Sequence, residues 1–254
     1  MTYDDVTVSD DGATATVSLD RPPANVLSLD SIRELEDVLE TLDEPERKAI
    51  VLDSANEKLF SGGVEVEDHL GEMLPKMMWG FGELFETMRE METPIVGVVE
   101  GAALGGGCEI AAGCDLVIAS ETARFGQPEI NLATFPPIAA AMFPDIMGEK
   151  QAFELVLTGE QIGAAEALEI GLVNDVVPAE EVDDRVNALV GNLTQKSGLV
   201  LGMAKRAFYD AADEASFEDA LEVATEHAIE ITSTDDGVEG LEAFMEDREP
   251  EWEY

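Results

Sequence analysis

The sequence predicts an α/β fold with a helical C-terminal region, and three observations lead to that prediction. Short apolar runs at residues 49–52, 95–99 and 115–119 are typical of buried parallel strands. Stretches with apolar residues at helical spacing alternate with these runs, which indicates repeated strand-turn-helix units. From residue 139 onward the pattern is mainly helical.

The first elements are a hairpin and a helix. Residues 6–9 and 13–19 alternate apolar with small or polar side chains around the turn sequence Asp10-Asp11-Gly12. A helix follows from apolar residues at 32, 35, 38, 39 and 42, and Ser31 with Glu34 could form a capping box at its start. After the strand at 49–52, the glycines of Ser61-Gly62-Gly63 permit a loop that could face a ligand.

The later elements are predicted in the same way. Residues 73–91 carry a methionine- and phenylalanine-rich stripe near helical period, most of it assigned to core packing and a minority to a cavity wall. Residues 105–113 predict a short helix, and residues 172–177 a further strand. The chain ends in helices near 197–213, 216–232 and 235–247. No linker rich in proline, glycine or serine precedes them, so we expect these helices to be packed rather than tethered.

The amino-acid composition restricts the kinds of molecule that the protein can bind. The 254 residues, 45% of them hydrophobic, can bury one sizeable core. The 14 basic residues stand against 56 acids, a formal net charge of -42 that would repel nucleic acids and anionic membranes. Such acidity can also mean disorder, but apolar periodicity along nearly the whole chain favours solvated acidic faces. Because lysine is scarce, we expect an intracellular protein of a salt-accumulating halophile, where cations screen the repulsion.

Neither targeting nor metal binding is indicated. The opening MTYDDVTVSDD has no basic or apolar signal region, and no run of about 18 apolar residues occurs. We therefore expect a soluble cytoplasmic protein. Cys108 and Cys114 are the only cysteines, and His69 and His227 the only histidines, so a metal site is improbable.

The most informative motif is a triple glycine that leads into a glutamate, Gly105-Gly106-Gly107-Cys108-Glu109. Glycines at a helix start let backbone N–H groups face a developing negative charge, and a carboxylate one turn further lies on the same side. In a chain with 56 acids, the default interpretation of Glu109 is a surface residue. Its apolar and small neighbours instead indicate a buried helix, where a lone acid needs a function. Glu129, which follows Pro128, could equally be a solvated loop acid.

Other motifs are missing. The glycine stretch lacks the last glycine of GxGxxG, and neither GxxxxGK[ST] nor GxSxG occurs. With two histidines in unremarkable settings, a serine triad has little support.

Three segments in order resemble the enoyl-CoA hydratase/isomerase (crotonase) superfamily. They are residues 59–65 (LFSGGVE), 101–109 (GAALGGGCE) and 125–130 (FGQPEI), and the resemblance runs to about residue 177, with residues 171–178 (GLVNDVVP) also similar. The resemblance implies a crotonase-type spiral of repeated ββα units with a helical C-terminal region. It also implies a catalytic core over residues 1–195 and an oligomerisation region over residues 196–254, in trimers or dimers of trimers.

By this resemblance, the expected reaction is the reversible addition of water to an enoyl-CoA thioester. The N–H groups of Gly62 and Gly106 would hold the thioester carbonyl, and Glu109 and Glu129 would flank a water. One carboxylate would activate the water while the other supplies the Cα proton. Further substrate contacts are expected from Ala24, Gly63, Val64, Glu65, Gly105 and Pro137. No cofactor or metal is expected beyond the coenzyme A of the substrate.

Alternatives stay open on the same scaffold. Family members that only isomerise a double bond commonly lack one of the two acids; both are present here, which favours hydration over isomerisation. Residues 135–140 (FPPIAA) stand where short-chain hydratases usually have a glycine-rich stretch. With His69-Leu70, that segment is similar to the cyclohexadienoyl-CoA hydratase branch, so a branched, cyclic or unsaturated acyl group is an alternative. A noncatalytic acidic scaffold is the alternative from another class.

Coenzyme A would bring further negative charge to an acidic protein. The few cations near the motifs are Arg21, Lys58, Arg124 and Arg248, each an ordinary surface residue by default. The resemblance implies that coenzyme A enters past residues 21–25 and 60–65, with help from a neighbouring subunit's C-terminal helix.

Overall fold

The computed structural model describes residues 3–56 and 58–254. The strands are β1 (Val6–Asp10), β2 (Thr14–Leu19), β3 (Val26–Leu27), β4 (Ala49–Ser54), β5 (Leu59–Ser61), β6 (Gly63–Val64), β7 (Ile95–Val99), β8 (Ala102–Leu104), β9 (Leu116–Ser120), β10 (Arg124–Gly126), β11 (Gln161–Gly163) and β12 (Asp175–Val177). The α-helices are α1 (Leu29–Leu42), α2 (Met73–Glu90), α3 (Gly106–Gly113), α4 (Pro137–Met147), α5 (Glu149–Thr158), α6 (Ala164–Glu169), α7 (Val182–Leu193), α8 (Gly198–Ala212), α9 (Phe217–Ser233) and α10 (Asp235–Glu246). Short 3-10 helices span Glu67–His69, Pro128–Leu132 and Ala179–Glu181.

Successive strands of each repeat enter different sheets. The large sheet has the order β1-β2-β4-β7-β9-β12 and is parallel except at the β1–β2 hairpin. The small sheet has the order β11-β10-β8-β5, in which β5, β8 and β10 are parallel and β11 is antiparallel. Thus β4 and β5, β7 and β8, and β9 and β10 each divide between the two sheets before a helix follows. The predicted spiral of ββα units is confirmed.

The core lies between the large sheet and its helices. All five residues of β7 are buried, which explains why this strand reads as an uninterrupted apolar run. On α2, Met77, Phe81 and Leu84 are buried, and the Phe81 ring meets the Phe85 ring edge to face at 5.1 Å. Burying one such side chain stabilises the fold by about 1.5–3 kcal/mol. The core-packing interpretation of the methionine and phenylalanine stripe is confirmed for these residues.

The start of α1 differs from the prediction. Ser28 is the N-cap and accepts from the N–H of Ser31, whose own side chain completes the capping box. The N-cap therefore lies three residues before the predicted one, because the earlier start brings Leu29 into the core at 4% exposure. Glu34 has a different contact and accepts the N–H of Asp5 at 2.8 Å.

The C-terminal helices are attached to the rest of the chain through α8. Lys205 is buried, with Nζ 2.9 Å from the Asp115 carboxylate and donating to the Met88 carbonyl at 2.8 Å. Removing one partner of such a buried pair costs about 3–5 kcal/mol. The Ser197 hydroxyl donates to Asp236 at 2.5 Å and so joins the start of α8 to α10. The packed arrangement is confirmed, whereas the division into a core over residues 1–195 and an oligomerisation region stays a prediction.

Among the described residues, no helix has both the length and the apolar character needed to cross a bilayer.

Candidate active site

The small sheet brings the three sequence motifs together. Strands β5, β8 and β10 are adjacent and parallel, so their carboxyl ends meet at one edge. The segments that leave those ends are residues 62–64, 105–109 and 127–129, which are the parts of the motifs singled out from the sequence. A cleft of about 400 Å³ lies at this edge. The predicted residues that line it are Gly62, Gly63, Val64, Gly105, Gly106, Glu109, Glu129 and Pro137.

The other walls of the cleft are largely apolar. Helix α2 contributes one wall, and the segment from Pro128 to Pro137 contributes another. The apolar lining residues are Val66, Leu70, Leu74, Met77, Met78, Phe81, Leu132, Ala133, Phe135 and Pro136. Thr134 and His69 add polar groups to the same lining. The cleft therefore offers an apolar chamber with a few polar groups, an arrangement typical of a small-molecule site.

Glu109 lies in the first turn of α3 and is 2% exposed. Its Oε1 accepts the N–H of Ala139 at 2.7 Å, in the first turn of α4. Pro137, the first residue of α4, has no N–H to donate. The next N–H groups of α4 have no partner within the helix, and they point at the carboxylate of Glu109. Burial, with the charge of Glu129 as a smaller cause, raises the pKa of Glu109 to about 8, since these two effects outweigh the N–H donors of α4. Near neutral pH, Glu109 therefore holds a proton that it can give away.

Glu129 lies in the 3-10 helix that follows β10 and is half-buried. The side chain of Gln127 is fully buried, and its amide stands 3.0 and 3.1 Å from the two carboxylate oxygens of Glu129 when its NH₂ faces them. On the other side, Glu129 Oε1 lies 2.5 Å from where a Cβ on Gly105 would be. Gly105 also has a φ of +53°, a backbone conformation that favours glycine. The backbone angle and the closeness of Glu129 therefore both require glycine at position 105. Burial raises the pKa of Glu129, and the nearby His69 lowers it.

The best-placed oxyanion donor is the N–H of Gly106. It is the first residue of α3, where N–H groups have no partner within the helix. A Cβ at Gly106 would lie 2.7 Å from Val64 Cγ2, so glycine is needed for β6 to approach. The N–H of Glu65 donates to Leu27 on β3 at 2.9 Å. Because successive N–H groups of a strand point to opposite sides, the N–H of Val64 points away from β3, toward α3.

The prediction of Gly62 as the second oxyanion donor is wrong. The N–H of Gly62 donates to the Ala24 carbonyl at 2.9 Å and is therefore not available to a substrate. Val64, predicted only as a substrate contact, has an N–H that points toward α3 and is the alternative donor in this loop. The motif identified the correct loop but the wrong N–H group within it. The local sequence does not show which N–H remains free, because that depends on the hydrogen bond from Gly62 to the distant Ala24.

The structure does not place Ala24 or Glu65 in the cleft wall. The Ala24 carbonyl is occupied by Gly62, and the Glu65 carboxylate pairs with Arg21 at 2.8 Å. Arg21 also contacts Asp5 and the carbonyl of Val26, so it is not a free cation for coenzyme A. Ala24 and Glu65 are therefore not substrate contacts in this structure. They instead stabilise the loop through the Gly62 hydrogen bond and the Arg21 ion pair.

The remaining cations near the motifs differ in availability. Arg248 pairs with Glu239 at 2.5 Å and with Glu246 at 2.8 Å. Arg124 donates to the backbone carbonyls of residues 122 and 123. Lys58 is exposed and, among the residues that the structure describes, has no acid within ion-pair distance.

Sequence reasoning missed two residues of this site. Gln127 was read only as part of the motif, although a glutamine between a buried strand and Pro128 is a signal for a buried polar contact. His69 was named with Leu70 in the family resemblance but not as a site residue, and it lines the cleft with both glutamates. Nothing in its local sequence shows this, because the cleft forms from segments distant in the chain. No group of three or more potential metal ligands occurs within residues 3–56 and 58–254.

The chain is similar to known proteins over nearly its whole length. A sequence model of the family described as "Enoyl-CoA hydratase/isomerase" matches residues 10–254. The chain is 33% identical over 258 residues to the short-chain-enoyl-CoA hydratase of Clostridium acetobutylicum, covering 99% of this chain and 98% of that protein. It is 31% identical over 254 residues to the crotonyl-CoA hydratase of Syntrophomonas wolfei, covering 98% and 97%. A crystal structure of an enoyl-CoA hydratase from Bacillus anthracis matches with a TM-score of 0.92 and 28% identity, covering 98% and 99%.

Proposed function

The chain belongs to the enoyl-CoA hydratase/isomerase family, and from that premise we propose that it is an enoyl-CoA hydratase. It adds water reversibly across the α,β double bond of an enoyl-CoA thioester. The observation that supports this most is that both glutamates line one cleft, beside the free N–H groups at the start of α3.

The thioester carbonyl oxygen accepts from the N–H groups of Gly106 and Val64. As water attacks Cβ, charge gathers on that oxygen as an enolate, and each well-placed donor is worth about 3–4 kcal/mol. Glu129 takes a proton from the attacking water, and Glu109 delivers its proton to Cα. The different environments of the two acids support this division, because the more buried one keeps its proton at neutral pH. The reaction needs no cofactor beyond the substrate's own coenzyme A.

The residues that line the cleft support an alternative to a short linear acyl chain. Phe135, Pro136 and Pro137 line it, and Pro137 starts α4, so this wall is stiff. A branched, cyclic or unsaturated acyl group fits such a chamber, and a cyclic dienoyl-CoA hydratase is the second candidate. Isomerisation on the same scaffold needs only one of the two acids, so the presence of both favours hydration.

A screen of linear, branched and cyclic enoyl-CoA thioesters in molar KCl tests this proposal. Product mass separates the candidates, because hydration adds one water and isomerisation adds nothing. A hydrated product from at least one substrate, formed also after chelator treatment, is the expected result. Unchanged substrate throughout the panel, from a folded protein, would favour the noncatalytic scaffold.

The proposal extends to assembly. Three phenylalanines on the C-terminal helices are strongly exposed: Phe208 at 78%, Phe217 at 82% and Phe244 at 87%. Surface of this kind supports self-association, in a trimer or a hexamer of this chain. Light scattering in high salt measures this directly, and a monomeric mass would contradict it.

The proposal also includes adaptation to high salt and a cytoplasmic location. Basic residues are few, and Arg47, Arg185 and Arg206 are each paired with an acid already. Most surface carboxylates must therefore rely on solvent cations for screening. Cys108 and Cys114 are both buried free thiols, which suits a reducing compartment.

A further inference from the structure

Five large apolar side chains at the mouth of the cleft are exposed to solvent, and the proposed reaction does not use them. Leu70 and Leu132 are each 66% exposed, and Phe135 is 56% exposed. Together with Val66 and Leu74, they line the same cleft as the two glutamates. These five residues are named the rim. Exposed apolar side chains grouped around one opening indicate a surface that an apolar ligand covers.

The rim has two banks that come from distant parts of the chain. One bank consists of apolar residues at positions 66, 70 and 74, which lead into the first turn of α2. The other bank is Leu132, which ends the 3-10 helix of Glu129, and Phe135, which lies just before α4. Because the two banks belong to different walls of the cleft, the rim borders the opening on two sides. This shape suits a narrow apolar chain that passes between the banks.

The acids close to the first bank do not line the cleft. Glu67 and Glu72 are exposed outside it, and Asp68 accepts a backbone N–H at the start of α1 at 2.9 Å. Among the cleft-lining residues that the structure describes, the only acids are the two glutamates of the proposed reaction. In a chain with 56 acids, an opening bordered by apolar side chains indicates that an uncharged group passes through it.

The inner end of the cleft is closed. Phe81 is 3% exposed, and two of its ring carbons lie 3.1 and 3.5 Å from where a Cβ on Gly106 would be. Its ring is held against that of Phe85, and Met77, one turn earlier on α2, is 1% exposed. Because Gly106 holds the thioester carbonyl in the proposed reaction, Phe81 and Met77 block the path inward from the reacting carbons. An acyl chain that continues beyond Cβ therefore leaves the cleft past the rim.

A short acyl group does not account for the rim. A crotonyl group ends one carbon beyond Cβ, so it stays beside the glutamates. A longer chain buries the apolar area of the rim, and each methylene that is fully buried improves binding by about fourfold. A second protein docked across both banks would instead close the opening above the glutamates and exclude the substrate.

We propose that the rim binds the outer part of the substrate's acyl chain, so that the enzyme prefers enoyl-CoA thioesters whose chain continues several carbons beyond Cβ. This inference rests on the proposed function and names the substrate class of the same cleft. The rim residues contact methylene and methyl groups, and they take part in no proton transfer. They determine specificity through the apolar area that each added carbon buries.

The test measures the binding of saturated acyl-CoA thioesters, which have no double bond and therefore do not react. Calorimetry in molar KCl gives the Kd of butanoyl-, hexanoyl-, octanoyl- and decanoyl-CoA for wild type, Leu70→Ser, Leu132→Ser and Leu157→Ser. Leu157 is the matched control, because it is 61% exposed on α5 and does not line the cleft. The ratio of the butanoyl-CoA Kd to the decanoyl-CoA Kd is compared, since this ratio cancels any effect of a variant on the binding of coenzyme A itself.

Wild type should bind decanoyl-CoA about 10–100-fold more tightly than butanoyl-CoA, because methylenes on an open rim are only partly buried. Leu70→Ser and Leu132→Ser should each lower that ratio by about fivefold, whereas Leu157→Ser should keep it. Both rim leucines are exposed, so these substitutions leave the core unchanged. A wild-type ratio near one, or a ratio that neither rim variant lowers, would overturn the proposal.

Binding and turnover together separate this inference from the proposed function. If the ratio behaves as expected but no enoyl-CoA gains a water, the rim binds acyl chains and the proposed reaction fails. If crotonyl-CoA and 2-decenoyl-CoA are hydrated with equal kcat/KM and the binding ratio is near one, the hydratase stands and the inference fails. A smaller mass of the rim variants in light scattering, with an unchanged binding ratio, would show that the rim contacts another copy of the chain instead.

Discussion

Replacing Glu109 by glutamine should change how the stability of the fold depends on pH. Burial raises the pKa of Glu109 to about 8, against about 4.3 in an unfolded chain. The folded state therefore binds this proton more tightly than the unfolded state. Its stabilising contribution is complete below about pH 4 and is lost as pH rises through about 8. Each tenfold difference in proton affinity is worth about 1.4 kcal/mol, so ionisation costs the fold up to about 5 kcal/mol.

This cost is large beside the 5–15 kcal/mol that typically separates folded from unfolded states, roughly a third or more of the total. Glutamine can still accept the N–H of Ala139 through its Oε1, but it never ionises. The free energy of unfolding of Glu109→Gln, relative to wild type, should therefore rise by about 4 kcal/mol between pH 5 and pH 9, because about 1 kcal/mol of the difference is already present at pH 5. Any penalty from the new NH₂ group is independent of pH and shifts the curve without changing its slope.

Urea unfolding at fixed protein concentration and constant molar KCl measures this difference across the pH range. Constant salt matters because a net charge of -42 makes stability sensitive to screening. Glu226→Gln on the exposed side of α9 is the matched control for loss of one acid. Wild-type and Glu109→Gln curves that run parallel from pH 5 to pH 9 would refute the buried, protonated state of Glu109.

Three further predictions follow from the same contacts. Gln127→Leu removes the buried amide that holds Glu129 and should lower kcat by about tenfold with little change in KM; an unchanged kcat in stopped-flow assays would contradict this. Gly105→Ala should lose both activity and stability, since φ is +53° and the new Cβ would meet Glu129 Oε1 at 2.5 Å. Gly82→Ala on α2, where nothing lies within 4 Å, is its control and should stabilise the fold by about 0.5–1 kcal/mol. The thermal midpoint should rise from low to molar KCl, and a falling midpoint in calorimetry would count against adaptation to salt.

The strands β4, β7 and β9 were predictable from short apolar runs, because they are buried in the large sheet. Helices α1 and α2 were predictable because they are long enough to show apolar residues at helical spacing. The second strand of each unit escaped prediction, because β8 and β10 have three residues each, too few for an alternating pattern. Those short strands nevertheless decide where Glu109 and Glu129 meet. The prediction that the two acids share a cleft came from a family resemblance rather than from these strands.

Local sequence also could not show which backbone groups remain free. Gly62 and Val64 belong to one motif, and only the bond from Gly62 to the distant Ala24 tells them apart. For Glu109 the sequence was informative, since one acid among apolar and small neighbours indicates burial, and the residue is 2% exposed. For His69 it was not, because the two glutamates that share the cleft with it lie 40 and 60 positions further along the chain.

The central claim is that hydration needs both carboxylates in one cleft. The direct measurement follows the loss of enoyl-thioester absorbance and the product mass for wild type, Glu109→Gln and Glu129→Gln in molar KCl. We predict that the wild-type product gains one water and that each variant, folded by circular dichroism, is slower by about 10²–10⁴-fold. Turnover near that of the wild type in either variant would contradict the claim.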